Sequence, residues 1–241
     1  MADKRKIAAL TGAGISAESG ISTFRDNGGL WARYDPQEVA SIGGWRRNPS
    51  LMIDFYNSRR RELEFTEPNE AHKALAAMEK EFEVFVVTQN IDNLHEKAGS
   101  SNVLHLHGEL TKVRPEDSYN DFDGWSEAQV VDIGYKDIHL GDKSESGAQI
   151  RPHIVWFGEA VPNIERAAEI VGSADALLIV GTSLSVYPAA GLYRYAKKGA
   201  PVLLVDPAEM LVRDERIRHI KAAATVGVKE AALELERHFK I

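Results

Sequence analysis

The chain contains no cysteine. Disulfides, thiolate nucleophiles and zinc held by thiolates are therefore excluded. No apolar run approaches the ~20 residues that a membrane span requires. The opening stretch MADKRKIAAL passes from charge straight into an apolar run, without the pattern of a secretory signal. Basic excess is missing too: 29 Lys and Arg against 36 Asp and Glu give −7 at pH 7, and no basic run is longer than Arg59-Arg60-Arg61. That balance argues against a nonspecific nucleic-acid surface. Together these absences lead to the expectation of a cytoplasmic protein with neither nucleic acid nor membrane as a partner. What remains is a chain of 241 residues, 44% hydrophobic, enough for one large α/β domain or a large domain with a small insert.

Short apolar runs predict buried parallel strands at Ile7–Leu10, Val84–Thr88, Ala176–Gly181 and Pro201–Val205. Ile154–Phe157 and Val103–Leu106 are shorter candidates. Helical patterns lie between them, at Asn69–Lys80, Ile164–Ser173, Ala189–Lys197 and Lys229–Phe239. Asn48-Pro49 is a cap-plus-proline start for another helix over Ser50–Leu63. Alternating strands and helices predict an α/β fold, a Rossmann-like doubly wound parallel sheet covered on both faces. Residues 34–66 and 111–150 break the alternation and read as a smaller inserted module. Residues 1–33, 67–110 and 151–241 then form the nucleotide-binding domain.

The most informative stretch is TGAGISAESGISTFR, residues 11–25, directly after the first predicted strand. Gly12, Gly14 and Ala17 fit the dinucleotide-binding pattern. In that reading Gly12 permits the tight turn, Gly14 lets a pyrophosphate approach, and small Ala17 allows close helix packing. Backbone N–H groups at the next helix start would hold the phosphates. The continuation is unlike a dehydrogenase: the helix stalls at Gly20, and FRDNGGLW follows as a polar loop. That combination points to a cofactor that is consumed. Further polar motifs sit at other predicted strand ends: TQNIDNLH (88–95), LHLHGEL (104–110), GTSLSVYP (181–188) and Val205-Asp206-Pro207. Each has a plainer reading. Asn90 and Asp92 can cap the next helix, His107 can be structural, and Asp206 can be a turn residue. Their convergence on one edge of one sheet, where ligands of open α/β sheets bind, favours a shared site.

Taken in order, GAGISAESGISTFR, TQNIDNLH, His107-Gly108, FGE at 157–159 and GTSL at 181–184 resemble the motifs of the sirtuins, NAD-dependent protein lysine deacylases. The resemblance spans nearly the whole chain. It implies that NAD is cleaved between nicotinamide and ribose and that the acyl group of a lysine ends on ADP-ribose. His107 becomes the general base on a ribose hydroxyl, with Asn90 on the ribose or a water and Asp92 on the carboxamide. Ile15, Phe24 and Ile91 become apolar walls, and Arg25 a phosphate partner. Ala13, Glu18, Trp31, Gln89, Gly181, Thr182, Ser183, Pro207 and Ala208 complete the implied NAD contacts. Asp206 would hold the adenosine ribose, although the family usually has Asn there, and Val228 would approach the adenine through its backbone. An acyl-lysine protein or peptide would add as a strand along Val155–Glu159, with Val155, Phe157, Gly158 and Glu159 in contact.

One sirtuin subgroup carries a Tyr-x-x-Arg pair that binds the carboxylate of succinyl- or malonyl-lysine. Tyr56 and Arg59, three apart on a predicted helix, match it, so desuccinylation and demalonylation are expected beside deacetylation. Arg60 and Arg61 are expected on a solvated face. The chain departs from the family in one respect. Sirtuins commonly hold a structural zinc on four cysteines after the catalytic His, and here there are none. Glu116, Asp117, Asp121, Asp123 and His139 lack the spacing of a zinc set, so no metal is expected. Packing by Tyr119, Phe122, Trp125 and Tyr135 is expected to anchor that module. A mono-ADP-ribosyltransferase and a non-catalytic NAD- or ADP-ribose-binding module are the rival readings.

Overall fold

The first apolar run forms β1 (Lys6–Thr11), with five of its six residues buried. The computed structural model describes residues 4–22, 34–120, 124–125, 127–209 and 214–240. After β1 come three helices of the inserted region: α1 (Pro36–Val39), α2 (Ile42–Arg47) and α3 (Pro49–Glu64). The Asn48 side chain caps α3 by accepting from Leu51 N, with Pro49 in the first turn. Next are α4 (Glu70–Met78), capped by Asn69, then β2 (Glu83–Thr88), α5 (Leu94–Lys97) and β3 (Val103–His105). A run of antiparallel pieces follows: β4 (Gly108–Pro115), β5 (Tyr119–Asn120), β6 (Gly124–Trp125), β7 (Val131–Asp132) and β8 (Ile150–Ile154). The chain returns to the main sheet through α6 (Ile164–Ser173), β9 (Ala176–Val180), β10 (Val202–Val205), β11 (Ile217–Ile220) and α7 (Ala224–Phe239).

Six strands make one sheet in the order β11-β10-β9-β1-β2-β3, every pair parallel. The order reverses direction at β1, which has β2 on one side and β9 on the other. This is the doubly wound, Rossmann-like arrangement, and its crevice opens beyond the carboxyl ends of β1 and β9. Alternate side chains of β1 feed two cores. Ile7 and Ala9 pack with Leu75 of α4 and Val228 and Leu235 of α7. Ala8 and Leu10 pack with Ala167 and Val171 of α6 and with Leu192. Burial on both faces explains why these strands read as continuous apolar runs.

Several expected elements are displaced. The strand placed at Ile154–Phe157 lies at Ile150–Ile154, and it pairs antiparallel with β4 in a three-stranded sheet, β7-β4-β8. Its alternation of Arg151 and His153 with Pro152 concealed it, because the two polar side chains are buried. Ala189–Tyr195 is a 3₁₀ helix, and α7 begins at Ala224, five residues before its expected start. The sequence IRHI of β11 escaped notice because only its two isoleucines are buried.

The smaller sheet packs against α1, α2 and α3 through a third cluster that includes Val39, Trp45, Met52, Tyr56, Leu110, Ile154 and Trp156. Charge is buried here as well. Arg60 is 0% exposed, not solvated as expected. Its Nε donates to Leu110 O and its Nη1 to Asn57 Oδ1, while Asn57 exchanges two bonds with the Ile138 backbone. Arg61 pairs with Asp137. Trp125 is buried edge-on against His153, and Tyr135 accepts from Asn93 under the Lys97 ammonium. Phe122 and the Tyr119 side chain lie outside the described residues. So do Asp121 and Asp123. No group of three or more acidic or imidazole side chains among the described residues is placed to hold a metal ion. None of the described helices is long and apolar enough to cross a membrane.

Candidate active site

Two strand-end loops meet at the crevice. Gly12 N donates to Val180 O and Gly14 N to Gly181 O. The loop after β1 winds through two 3₁₀ turns, Ala13–Ile15 and Ala17–Ser19, and stops at Gly20 in the left-handed region. Gly12 itself is extended, with φ −135° and ψ −174°, so turn geometry does not demand a glycine there. Close packing does. A Cβ on Gly12 would lie 2.8 Å from Thr182 Cβ, and one on Gly14 2.7 Å from Gly181 Cα. Gly181 has φ +61°, and a Cβ on it would lie 2.3 Å from Ile15 N. The glycines thus let two backbones touch, a demand beyond the turn and the phosphate approach expected of Gly12 and Gly14. Ala17 is exposed, so its small size serves no helix contact. Between these loops the amides of Ala13, Thr182 and Ser183 have no partner among the described residues. They are the backbone donors left for an anion.

The β1 loop is tied to the end of β2 through one hydroxyl. Ser16 Oγ donates to Asp92 Oδ2 at 3.0 Å and accepts from Asn90 Nδ2 at 3.1 Å. His72 Nε2 lies 3.4 Å away. His72 Nδ1 lies 3.3 Å from Asn69 N and 3.2 Å from Asn69 Oδ1, which ties the ring to the start of α4. Asn90 Nδ2 also reaches Gly12 O at 3.2 Å. Asn90 therefore bridges loops and caps no helix. Asp92 does both jobs: Oδ1 accepts from Leu94 N at the start of α5, and Oδ2 faces Ser16. Burial raises the Asp92 carboxyl above its ordinary range, and the Leu94 and Ser16 bonds oppose that rise. Beneath lies a buried polar chain, Thr11 Oγ1 to Thr88 Oγ1 at 2.8 Å with His95 Nε2 at 3.0 Å. Burial drives His95 well below 6.5. Sequence reasoning missed Ser16, His72 and His95. The one available signal was a histidine on the buried face of α4.

His107 sits where β3 gives way to β4, held half-buried over the end of β2. Its Nδ1 is 2.9 Å from Gln89 O, a carbonyl that only accepts. The proton is therefore on Nδ1, and Nε2 keeps its lone pair. Burial lowers its pKa below 6.5, with the Gln89 bond opposing. A neutral imidazole with a free lone pair is a general base. Gln89 Nε2 also reaches Thr182 Oγ1 at 3.0 Å, joining the third loop to the site. Gly12, Ala13, Gly14, Gln89, Asn90, Asp92, His107, Gly181, Thr182 and Ser183 are thus brought to one edge.

Several other expected contacts are also engaged within the fold. Ile15 is 0% exposed and belongs to the main core, so it does not wall a pocket. Ile91 is half-buried against the smaller module. Glu18 turns away to hold α7: its carboxylate accepts from Thr225 N and from Thr225 Oγ1. Val228 lies inside α7 with its side chain in the core, so its helical backbone offers no free amide to an adenine. Asp206 Oδ1 accepts from Ala208 N in a local turn, with Pro207 and Ala208 exposed beside it. Glu159 is 2% exposed on its side chain and is spent on Arg151, Arg114 and Trp156 N, so its carboxylate cannot touch a peptide. Phe157 already pairs its backbone with Ala40 O and Ile42 N. Phe24, Arg25 and Trp31 lie outside the described residues.

The Sir2 family model matches residues 12–188. The chain belongs to the Sir2 family. A relative from Bacteroides thetaiotaomicron, an NAD-dependent protein deacylase, is 50% identical over 228 residues, covering 94% of this chain and 96% of the relative. Another NAD-dependent protein deacylase, from Helicobacter pylori strain J99, is 53% identical over 203 residues, covering 84% and 83%. Among solved structures, a Sir2 homolog–NAD complex superposes with TM-score 0.83 at 34% identity over 98% of this chain and 91% of that one. The residues of the switch-point crevice fit a dinucleotide: the loops that meet at Gly14 and Gly181 carry amides without a partner among the described residues, and His107 and the buried Asp92 carboxyl follow β3 and β2 on the same edge.

Proposed function

We propose that this chain spends NAD to remove acyl groups from protein lysines, and that its acyl pocket takes chains ending in a carboxylate. NAD-dependent protein deacylation is the activity of its family, and it is the activity of this chain. The observation that carries the chemistry is His107, with Nδ1 spent on Gln89 O and Nε2 left as an acceptor. When bound, NAD supplies an anomeric carbon whose bond to nicotinamide breaks as the acyl oxygen of the lysine attacks. His107 Nε2 would take the proton of a ribose hydroxyl, so that this oxygen attacks the acyl carbon; the acyl carbon–nitrogen bond would then break to free the lysine amine, and one water would be taken up to leave O-acyl-ADP-ribose. The amides of Ala13, Thr182 and Ser183 hold the phosphates, Asp92 the carboxamide, and Asn90 the ribose side. Val155 O and the Gly158 backbone have no partner among the described residues and would take an added peptide strand beside Phe157. A transferase to outside nucleophiles would have no use for a base at the ribose hydroxyl, which favours deacylation.

The finer reading rests on α3. Tyr56 and Arg59 lie one turn apart, with the phenol buried and the Arg59 Nε buried without a partner among the described residues. A carboxylate would satisfy both donors. The test is a rate comparison with NAD and acetyl-, malonyl- and succinyl-lysine peptides of one sequence, following nicotinamide and acyl-ADP-ribose. Acyl-ADP-ribose with faster succinyl than acetyl turnover supports both parts. ADP-ribose on protein without acyl transfer, or NAD binding without turnover, refutes the first. Equal rates on all three peptides refute the second.

A further inference from the structure

We propose that Trp156 is a positioning residue for acyl selection: its indole N–H fixes the Tyr56 hydroxyl so that the phenol proton is left for an acyl carboxylate. The inference rests on the acyl reading of Tyr56 and Arg59 above. Trp156 Nε1 donates to Tyr56 Oη at 3.0 Å, and both rings are buried. A phenol has one proton and an acceptor side. The indole occupies the acceptor side, and no described residue takes the proton. Accepting a hydrogen bond also makes that O–H a better donor. Burial keeps the phenol protonated by raising its pKa. Three residues on, Arg59 spends Nη2 on the exposed Glu62, 2.5 Å away, and leaves Nε unspent. The Tyr56 O–H and Arg59 Nε are thus two donors, three residues apart on α3, without an acceptor among the described residues.

The indole cannot turn away from Tyr56. The Arg151 guanidinium lies 3.4 Å above its ring centroid, and Trp45 packs at 5.2 Å. Glu159 grips Arg151 with both oxygens, at 2.7 and 3.0 Å, and accepts from Trp156 N at 2.9 Å. The buried ion pair thus holds the ring, and the ring holds the phenol. In this arrangement Glu159 serves the acyl site through two intermediaries.

The test uses the full chain, NAD, and acetyl- and succinyl-lysine peptides of one sequence. Trp156→Phe removes the N–H and keeps a ring under Arg151. The expected result is a succinyl KM raised about fivefold to tenfold, the loss of one hydrogen bond aimed at a charge, with kcat and both acetyl constants nearly unchanged. In a Tyr56→Phe background the same change should add nothing to the succinyl-to-acetyl ratio. If Tyr56→Phe lowers the ratio and Trp156→Phe does not, the positioning role falls and the acyl reading stands. If Tyr56→Phe itself leaves the ratio unchanged, both fall. Equal losses on the two peptides, or a further loss in the Tyr56→Phe background, reduce Trp156 to a packing residue and overturn the proposal. Should Trp156→Phe not fold, benzothienylalanine placed at position 156 keeps the size and removes the N–H, and the same outcomes apply.

Discussion

Replacing Glu159 by Gln tests how the smaller module is held together without cysteines. The carboxylate is 2% exposed and accepts from Arg151 Nη1, Arg151 Nη2 and Trp156 N. The Arg114 guanidinium, 0% exposed, stands 3.6 Å away. Glutamine keeps the volume and one acceptor oxygen, but it turns an N–H₂ toward a guanidinium. Arg151 then loses the carboxylate that grips it, and the buried Arg114 loses an anionic neighbour. Breaking a buried pair from one side costs about 3–5 kcal/mol, because the remaining charge is left desolvated. Stacking on Trp156 and Trp125 returns part of this, so the lower end is the better figure. For a chain of this size the change corresponds to a Tm lower by roughly 6–20 °C. Equilibrium urea melts followed by tryptophan fluorescence give the measurement, since Trp45, Trp125 and Trp156 all lie in this region. Glu62→Gln is the control. Its partner Arg59 is reached at the surface, with Glu62 60% exposed, so less than about 1 kcal/mol is expected. If Glu159→Gln were no more harmful than the control, the ion pair would not be what holds the module.

His107→Ala should abolish acyl-ADP-ribose formation while the melting curve stays within about 1 kcal/mol of the parent. Retained turnover would end its role as base. Because burial holds His107 below 6.5, kcat/KM for deacylation should stay flat at neutral pH and fall only in acid, below that value. Arg59→Met should cut desuccinylation by roughly tenfold or more and leave deacetylation nearly intact, as expected for one charged hydrogen bond lost. An equal loss on both peptides would assign it to the fold. Stability should fall in acid. Burial lowers His72 to about 4 and His153 to about 3, and His95 lies well below 6.5. The unfolded chain binds these protons first, so the contribution is present above pH 6.5 and is lost as pH falls toward 4. Each pH unit of displacement is worth about 1.4 kcal/mol. Asp92 and His105, both raised, act in the opposite sense: their contributions are lost as pH rises through the folded-state values. A melting series from pH 8 to 4 that stayed flat would refute the burial of the three histidines.

Strand identity was legible because β1, β2, β9 and β10 are buried on both faces, and their composition alone announces it. The site motifs were legible as groups, since each follows a strand. Individual roles were harder to read wherever the partner is remote in sequence. Gly14 looks like a phosphate glycine until Gly181 is seen against it. Arg60 looks solvated because its neighbours in sequence are Arg59 and Arg61, yet its partners are Asn57 and the Leu110 carbonyl. Glu159 ends a motif that reads as peptide-binding, but two buried arginines claim it. Pattern shows where a charge lies along the chain; only packing shows what neutralises it.

The Glu18 carboxylate that grips Thr225 does so across 207 residues. It supplies the cap that α7 lacks, since Ala223 has no side-chain acceptor to offer. The central strand is completed late as well: Lys6 N finds its Asp175 acceptor 169 residues onward. During synthesis the loop after β1 therefore emerges well before the partners that complete it. Until β9 and α7 are in place, β1 is an apolar strand without half of its ladder, the kind of edge that recruits other chains. The contact order built into this sheet makes slow, aggregation-exposed folding the expected behaviour of the early chain. It also means that a nascent chain cannot brace the loop after β1 before α7 has emerged.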